Sequence, residues 1–316
     1  MIVVVALNPA LDVTHHVDDV DWTGVNRPAG VRESPGGKGL NVARTLHSLG
    51  ADVLLLGLAG GSSGAVLQSA LRASGVRAVF TEIAAGTRRT FAVVDTGRGD
   101  VALFNEPGPP VAAAEYARFL DTYTEALATS AAVVLSGSLP AGLPPDTYAD
   151  LTRTAAAAGV PVLLDTSGEA LLHGATAGPA MVKPNLAELA AAVGRELALT
   201  GPSDRAAVIE AAAELRDRGP DAVVVSLSAE GLLAVTNEGT WLAEPRRVAG
   251  NPTGAGDAAV AGLAHGLVLG QSWQDRLRHA AALGSAAAAA PAAGEFGHAN
   301  YDLALSSVEV TRLEVE

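Results

Sequence analysis

The chain contains no cysteine. Disulfide staples, thiolate catalysis and cysteine-ligated zinc are therefore excluded. Aromatic residues are only 4% of the 316 residues, and alanine is abundant, so small side chains are expected to fill the helix-to-sheet contacts. Basic residues are scarce, with 21 Lys and Arg against 34 Asp and Glu and a formal charge of −13. Such a surface repels nucleic acid and anionic lipid, and neither is expected as a partner. If the ligand is an anion, the few basic residues near its site work against the background field, and their positions become informative. Long apolar runs are also missing. The apolar start at residues 1–6 is short, with neither a basic leader nor a cleavage site. The alanine run at 286–290 ends at Pro291 and is too short to span a bilayer. A cytoplasmic protein is the expectation.

What is present is a chain that is 49% hydrophobic and 17% charged, which fits a globular enzyme with a large core. The length allows one large α/β domain or two modest ones. With no linker and no repeat, one domain over 1–316 is expected. Short β-branched runs read as buried strands at 2–7, 53–58, 132–135, 160–164, 181–183 and 222–227. Helical spacing appears at 40–49, 66–71, 112–127, 146–158, 186–193, 204–218, 258–269 and 273–290. Residues 232–236 and 240–243 suggest a hairpin, and 308–315 a last strand. The alternation predicts a mainly parallel sheet covered on both faces. The polar alternating segments at 13–34 and 89–105, the second turning at Asp95-Thr96-Gly97-Arg98-Gly99, do not suit a buried parallel sheet. They predict a small, partly exposed sheet projecting from the body. Such a flap closes over a site or offers edges for dimer pairing.

The most informative segment is Asn251-Pro252-Thr253-Gly254-Ala255-Gly256-Asp257. It sets two glycines and a carboxylate at the mouth of a long helix. Glycines allow close backbone approach, and the first helical amides, unpartnered and at the positive end of the dipole, bind anions. Asp257 beside bound phosphate reads as a base that activates a hydroxyl for phosphoryl transfer. Taken alone, the segment also reads as a loop before an acidic first-turn residue.

Other segments carry similar double readings. Gly36-Gly37-Lys38-Gly39-Leu40-Asn41 opens the first long helix without Walker A spacing; Lys38 suits an anion and Asn41 hydroxyls, or the run is a plain glycine turn. Asp12 follows the first strand, where open sheets bind ligands, or is a solvated turn residue. Arg27, Arg88 and Arg89 lie in or beside the flap; the arginine fork suits phosphate, and Arg88 is preferred over Arg89. Ser136-Gly137-Ser138-Leu139-Pro140 lets a ligand near a strand end, or is an ordinary β-to-α loop. In Lys183-Pro184-Asn185-Leu186-Ala187-Glu188, Asn185 and Glu188 form a capping-box pattern. The same helix end offers Glu188 to Mg²⁺ and water, and Lys183 and Asn185 to nucleotide phosphates. The G-x-S-x-G match at 60–64 and the dinucleotide-like match at 254–259 are set aside, since neither has the surrounding context it needs. His15-His16 reads as surface histidine.

In this order the segments Asn8-Pro9-Ala10-Leu11-Asp12, Gly36 to Asn41, Ser136 to Pro140, Lys183 to Glu188 and Gly254 to Asp257 resemble the phosphofructokinase-B group of ribokinase-like sugar kinases. Within that group the chain is most similar to the 1-phosphofructokinase and tagatose-6-phosphate kinase branch. The resemblance implies an α/β ribokinase-like three-layer sandwich, its mainly parallel sheet nine or so strands wide, with a small β-sheet lid that forms a homodimer. It implies ATP and Mg²⁺ as cofactors and transfer to a primary hydroxyl of a ketohexose monophosphate, fructose 1-phosphate first. Tagatose 6-phosphate or fructose 6-phosphate kinases and a non-catalytic sugar-phosphate sensor are the alternatives. It implies Asp257 as base and Gly254, Ala255 and Gly256 as anion hole. Asp12, Gly36, Gly37, Lys38, Asn41 and Ser138 fall on the sugar phosphate, with Arg27 and Arg88 near its phosphate. Lys183, Asn185, Glu188, Ser226, Ser228 and Gly231 fall on the nucleotide side, with Glu188 toward Mg²⁺ through water. Two residues depart from the family pattern. Ser228 stands where glycine is usual, and carries strain of roughly 1 kcal/mol or more if that position needs positive φ. Asn251 replaces the Asp common in wider ribokinase-like proteins, which weakens the expectation of a monovalent-cation site.

Overall fold

Ile2–Ala6 reads Ile-Val-Val-Val-Ala and is buried at every position. β-branched residues favour the extended chain, and burial on both faces places the run at the centre of a sheet. A computed structural model describes residues 1–199, 204–246, 248, 253–290 and 292–314. The expectations for Asn251, Pro252, Pro291 and Val315 lie outside the described residues.

The chain runs β1 (Ile2–Ala6), β2 (Ala10–Val17), β3 (Gly30–Gly36), α1 (Lys38–Ser48), β4 (Val53–Ala59), α2 (Gly61–Ala73), β5 (Ala78–Glu82), β6 (Arg88–Asp95), β7 (Val101–Asn105) and α3 (Ala113–Leu127). It continues through β8 (Ala132–Ser136), α4 (Thr147–Ala157), β9 (Val162–Asp165), α5 (Gly168–Ala175), β10 (Met181–Val182), α6 (Leu186–Val193), α7 (Asp204–Arg216) and β11 (Val223–Ser226). A 3₁₀ turn at Ser228–Glu230 precedes β12 (Leu232–Thr236), β13 (Gly239–Glu244), α8 (Ala255–Val268), α9 (Trp273–Ala288), α10 (His298–Ser307) and β14 (Glu309–Leu313).

Among the described residues the main sheet has ten strands, ordered β14-β13-β12-β11-β10-β9-β8-β1-β4-β5. From β5 to β11 every pairing is parallel, and β12, β13 and β14 add an antiparallel edge. Period-2 alternation splits each central strand between two cores. Val3 and Val5 join Phe119, Tyr123 and Leu151 on one face, while Ile2 and Val4 join Leu40, Leu46, Val260 and Leu277 on the other. The alanine richness has a specific use in the second core. At Gly262 of α8 a Cβ would lie 2.7 Å from the Ala280 Cα of α9, so these two helices pack almost backbone to backbone. That close seat fixes α8, whose first turn carries Asp257, against the sheet.

A second sheet of four strands, β3-β2-β6-β7, stands apart from the main one. Its outer pairs are antiparallel, and β2 and β6 are parallel. The lid strands begin at Ala10 and Arg88, slightly before the polar alternation that pointed to them. Three elements were not expected from the sequence, namely β5, α5 and α10. The helix anticipated at 258–269 begins at Ala255, which draws Asp257 into its first turn. No helix among the described residues is long and apolar enough to cross a membrane.

Candidate active site

Helix α8 begins at Gly254, whose φ of 86° is left-handed and therefore glycine's own region. A Cβ there would also lie 2.9 Å from Ala293 Cβ, so two independent reasons exclude a side chain. The first bond along the helix runs from the Ala258 amide to the Gly254 carbonyl at 2.9 Å. The amides of Ala255, Gly256 and Asp257 therefore have no partner within the helix and face its open end. Asp257 is only 8% exposed. Asn41 Nδ2, from the first turn of α1, donates to its Oδ2 at 2.8 Å. Burial pushes the Asp257 carboxyl up to about 7, and repulsion from Asp165 adds to this; the Asn41 bond and the ammonium groups of Lys38 and Lys183 oppose it. A carboxyl poised near neutral pH is suited to take a proton from an alcohol.

The neighbouring charges centre on Asp165, at the end of β9 and 1% exposed. Its Oδ1 lies 3.3 Å from Lys183 Nζ and 3.6 Å from Lys38 Nζ. Lys38 also lies 3.4 Å from Glu188 Oε1. Burial works against the Lys38 charge, but Asp165, Glu188 and Asp257 outweigh it and raise its pKa. Lys183 is itself buried, and its Nζ is 3.7 Å from where a Cβ on Gly256 would sit. The bare glycine thus opens the α8 turn to that ammonium. Asp165 was not anticipated from the sequence. Its only local signal is a carboxylate ending a buried strand; its partners are distant along the chain.

On the lid side, Asp12 of β2 packs on Gly36 so closely that a Cβ there would lie 2.0 Å from a carboxylate oxygen. Burial raises the Asp12 pKa, with a Thr90 hydrogen bond and the nearby Arg88 charge opposing. Arg88 is half-buried, and its Nε and Nη2 donate to the Asn8 carbonyl at 3.3 and 3.2 Å. Arg89 is exposed. Asn8 Nδ2 donates to Ser138 Oγ at 3.0 Å, joining the first and third loops. Gly37 caps α1 at φ 96°, and its carbonyl accepts from the amides of Leu40 and Asn41.

Three further residues expected at the sugar phosphate have the following surroundings. Arg27 is exposed on the loop between β2 and β3. The register runs from Ala10↔Gly36 at the site end to His16↔Gly30 at the loop end, which puts Arg27 about 20 Å along the hairpin at ~3.3 Å per residue. Lys38, expected with Arg88 on one phosphate, lies beside Asp165 and Glu188. Asn41, expected on sugar hydroxyls, donates one N–H to Asp257, and its buried Oδ1 has no hydrogen-bond partner among the described residues.

On the other side of the cleft, Asn185 Oδ1 accepts from the Glu188 amide and Glu188 Oε2 from the Asn185 amide, both at 2.8 Å. The capping box is present. A bridge pairs Asn185 with Ser226, and the Ser226 amide donates to the Pro184 carbonyl at 3.0 Å. The next turn holds Ser228 at φ 53° and Gly231 at φ 96°. Ser228 therefore does occupy the left-handed region that its position demands. Lys183, Asn185, Glu188, Ser226, Ser228 and Gly231 thus gather beyond the carboxyl ends of β10 and β11, where open sheets bind ligands. Among the described residues no group of three or more His, Asp or Glu could hold a metal ion, the histidines His15 and His16 included.

A helix mouth for an anion, a buried carboxyl near neutrality beside it, two ammonium groups and a lid-borne arginine define a phosphotransferase acting on an alcohol, built on an open α/β sheet. The pfkB family of carbohydrate kinases matches residues 4–298, and the chain belongs to that family. It is 40% identical over 271 residues to a 1-phosphofructokinase of Xanthomonas campestris pv. campestris, covering 84% of each chain. It is also 40% identical over 291 residues to an ATP-dependent 6-phosphofructokinase isozyme 2 of Mycobacterium tuberculosis, covering 92% of this chain and 83% of the relative. Among solved structures, Escherichia coli phosphofructokinase-2 in complex with fructose-6-phosphate superposes with a TM-score of 0.87 at 31% identity, covering 96% of this chain and 98% of that one. The protein is a carbohydrate kinase of ribokinase-like fold, and use of ATP follows from that class.

Proposed function

We propose that the protein transfers the γ-phosphoryl group of ATP to a primary hydroxyl of a ketohexose monophosphate, converting fructose 1-phosphate to fructose 1,6-bisphosphate. The observation that carries this reading is the buried Asp257 carboxyl, held by Asn41 at the mouth of α8. Asp257 accepts the hydroxyl proton as the oxygen attacks phosphorus. The amides of Ala255 and Gly256 and the Lys183 ammonium face the charge that gathers on the transferring group. Arg88 and Asp12 hold the sugar phosphate from the lid side, which fixes the reacting hydroxyl against the base. The nucleotide lies over Asn185, Ser226, Ser228 and Gly231.

Mg²⁺ fits this site as an ion carried by nucleotide phosphates. Both Glu188 oxygens are engaged, one by the Asn185 amide and one by Lys38, so Glu188 meets the ion through water. Bound there, Mg²⁺ would neutralise phosphate charge. The 1-phosphofructokinase relative and the similarity to its branch support fructose 1-phosphate. A second reading, fructose 6-phosphate, draws support from the Mycobacterium tuberculosis relative at equal identity, because a ketohexose bears a primary hydroxyl at each end. We further propose a homodimer through the lid, where Val31, Val101, Leu103 and Phe104 stand exposed on β3 and β7. Steady-state turnover with ATP against fructose 1-phosphate, fructose 6-phosphate, tagatose 6-phosphate and free fructose tests the substrate. The highest kcat/KM is expected with fructose 1-phosphate. A preference for fructose 6-phosphate supports the second reading, and no turnover with any of them overturns a ketohexose monophosphate as the acceptor.

A further inference from the structure

We propose that Lys38 is a catalytic residue that contacts the phosphoryl group in transfer, not the phosphate the sugar already carries. The inference rests on the kinase reading above and concerns the same cleft. It starts from α1. Lys38 and Asn41 are three residues apart and so share one face of the helix. Asn41 reaches Asp257 at 2.8 Å, so the residue one turn earlier on that face is carried to the neighbouring edge of the same helix mouth.

The ammonium positions agree. Lys38 and Lys183 both lie against the same oxygen of Asp165, at 3.6 and 3.3 Å. Lys183 is the group beside the bare Gly256 backbone of the first α8 turn. One buried carboxylate therefore gathers two cations at the place where the helix amides open. An ammonium has three N–H donors. Glu188 accepts one of those on Lys38 at 3.4 Å, Asp165 at 3.6 Å is an ion-pair neighbour, and the Lys38 side chain is still 39% exposed. Its remaining donors are available to the cleft.

The lid cation is held by other groups. Arg88 lies on the carbonyls of Asn8 and Glu106 and near the Asp12 charge. Were Lys38 to join Arg88 on the resident phosphate, it would leave Asp165 with a single lysine and Glu188 with none. In its observed place Lys38 gives up neither contact to meet an incoming phosphoryl group. Three carboxylates and two ammonium groups also leave this cluster short of positive charge until the Asp257 proton is counted, so a PO₃ unit arriving there depends on both lysines.

The test compares wild type with Lys38→Met and Lys38→Arg, each checked for an unaltered thermal melt. Two quantities are read: the steady-state constants for the sugar phosphate, and affinity for ADP with aluminium fluoride in the presence of sugar phosphate, a mimic of the transferring group. The expected result for Lys38→Met is a kcat lower by about 10²–10³, the size of losing one such donor, with KM for the sugar phosphate moved less than about threefold. The aluminium fluoride complex should weaken by a similar factor, with partial recovery in Lys38→Arg. A raised KM with kcat retained, or neither constant changed, would overturn the proposal. Absence of wild-type turnover would instead sink the ketohexose-monophosphate reading beneath it. If Lys38→Met melts early, the Arg variant and the aluminium fluoride titration still decide.

Discussion

Replacing Asp257 by asparagine should make the protein more stable at alkaline pH while leaving its stability at acid pH nearly unchanged. The reasoning is one of linkage. The carboxyl ionises from 3.8 in an ordinary setting and at about 7 in the folded chain. Between those values the folded state holds a proton that the unfolded state has lost, so stability falls as pH rises through this window. Three units at 1.36 kcal/mol each set a ceiling of about 4 kcal/mol on that fall. Coupling to Asp165 and the two lysines makes about 2–4 kcal/mol the expected range. Asparagine has no charge to desolvate, and its Oδ1 can still accept from Asn41. Lys38 and Lys183 keep Asp165 as partner. At pH 3.5, below both values, the wild-type carboxyl is neutral in the folded and the unfolded chain, so the two proteins should melt together. At pH 8.5 the variant should melt several degrees higher, at about 2 °C per kcal/mol for a chain of this size. Paired calorimetric scans at the two pH values read this directly. An equal shift at both pH values, or a lower melting point for the variant at pH 8.5, would refute the burial argument.

Arg88→Ala should raise KM for the sugar phosphate by tenfold or more with kcat changed far less, since a charge-assisted contact is worth about 1.5–3 kcal/mol; an unchanged KM removes Arg88 from substrate binding. Ser228→Gly should raise the melting point by about 2 °C, because φ 53° costs a side chain roughly 1 kcal/mol. A lower melting point would mean that the hydroxyl makes a compensating bond. Leu103→Lys, on the exposed face of β7, should shift the protein toward monomer in analytical ultracentrifugation without altering its melting curve at high dilution. An unchanged sedimentation profile would place the assembly surface elsewhere.

Most of the sheet was readable because its strands are short β-branched runs buried on both faces, as in Ile2–Ala6. The elements that escaped have weaker local signals. Half-buried β5 reads Ala-Val-Phe-Thr-Glu at the sheet edge, and α10 buries no residue at all, so no apolar stripe marks it. The mouth of α8 was legible because two glycines, an acid and a following helix are local facts. Asp165 was not, for its meaning comes from Lys38 and Lys183, which only the crossover topology brings to it. The lid arginines show the same limit from the other side. Arg88 and Arg27 look alike in sequence, and only the strand register separates a cation at the cleft from one at the far end of a hairpin. The Ser228 departure was the reverse case, because a missing glycine in a known kind of turn already states the backbone angle it must bear.

The role of Asp257 as base is tested most directly by the turnover of Asp257→Asn with saturating ATP and fructose 1-phosphate, beside calorimetric binding of the sugar phosphate to the same preparation. Loss of a general base predicts a kcat lower by about 10²–10⁴ with binding retained within a few-fold. Turnover close to that of the wild type would contradict it.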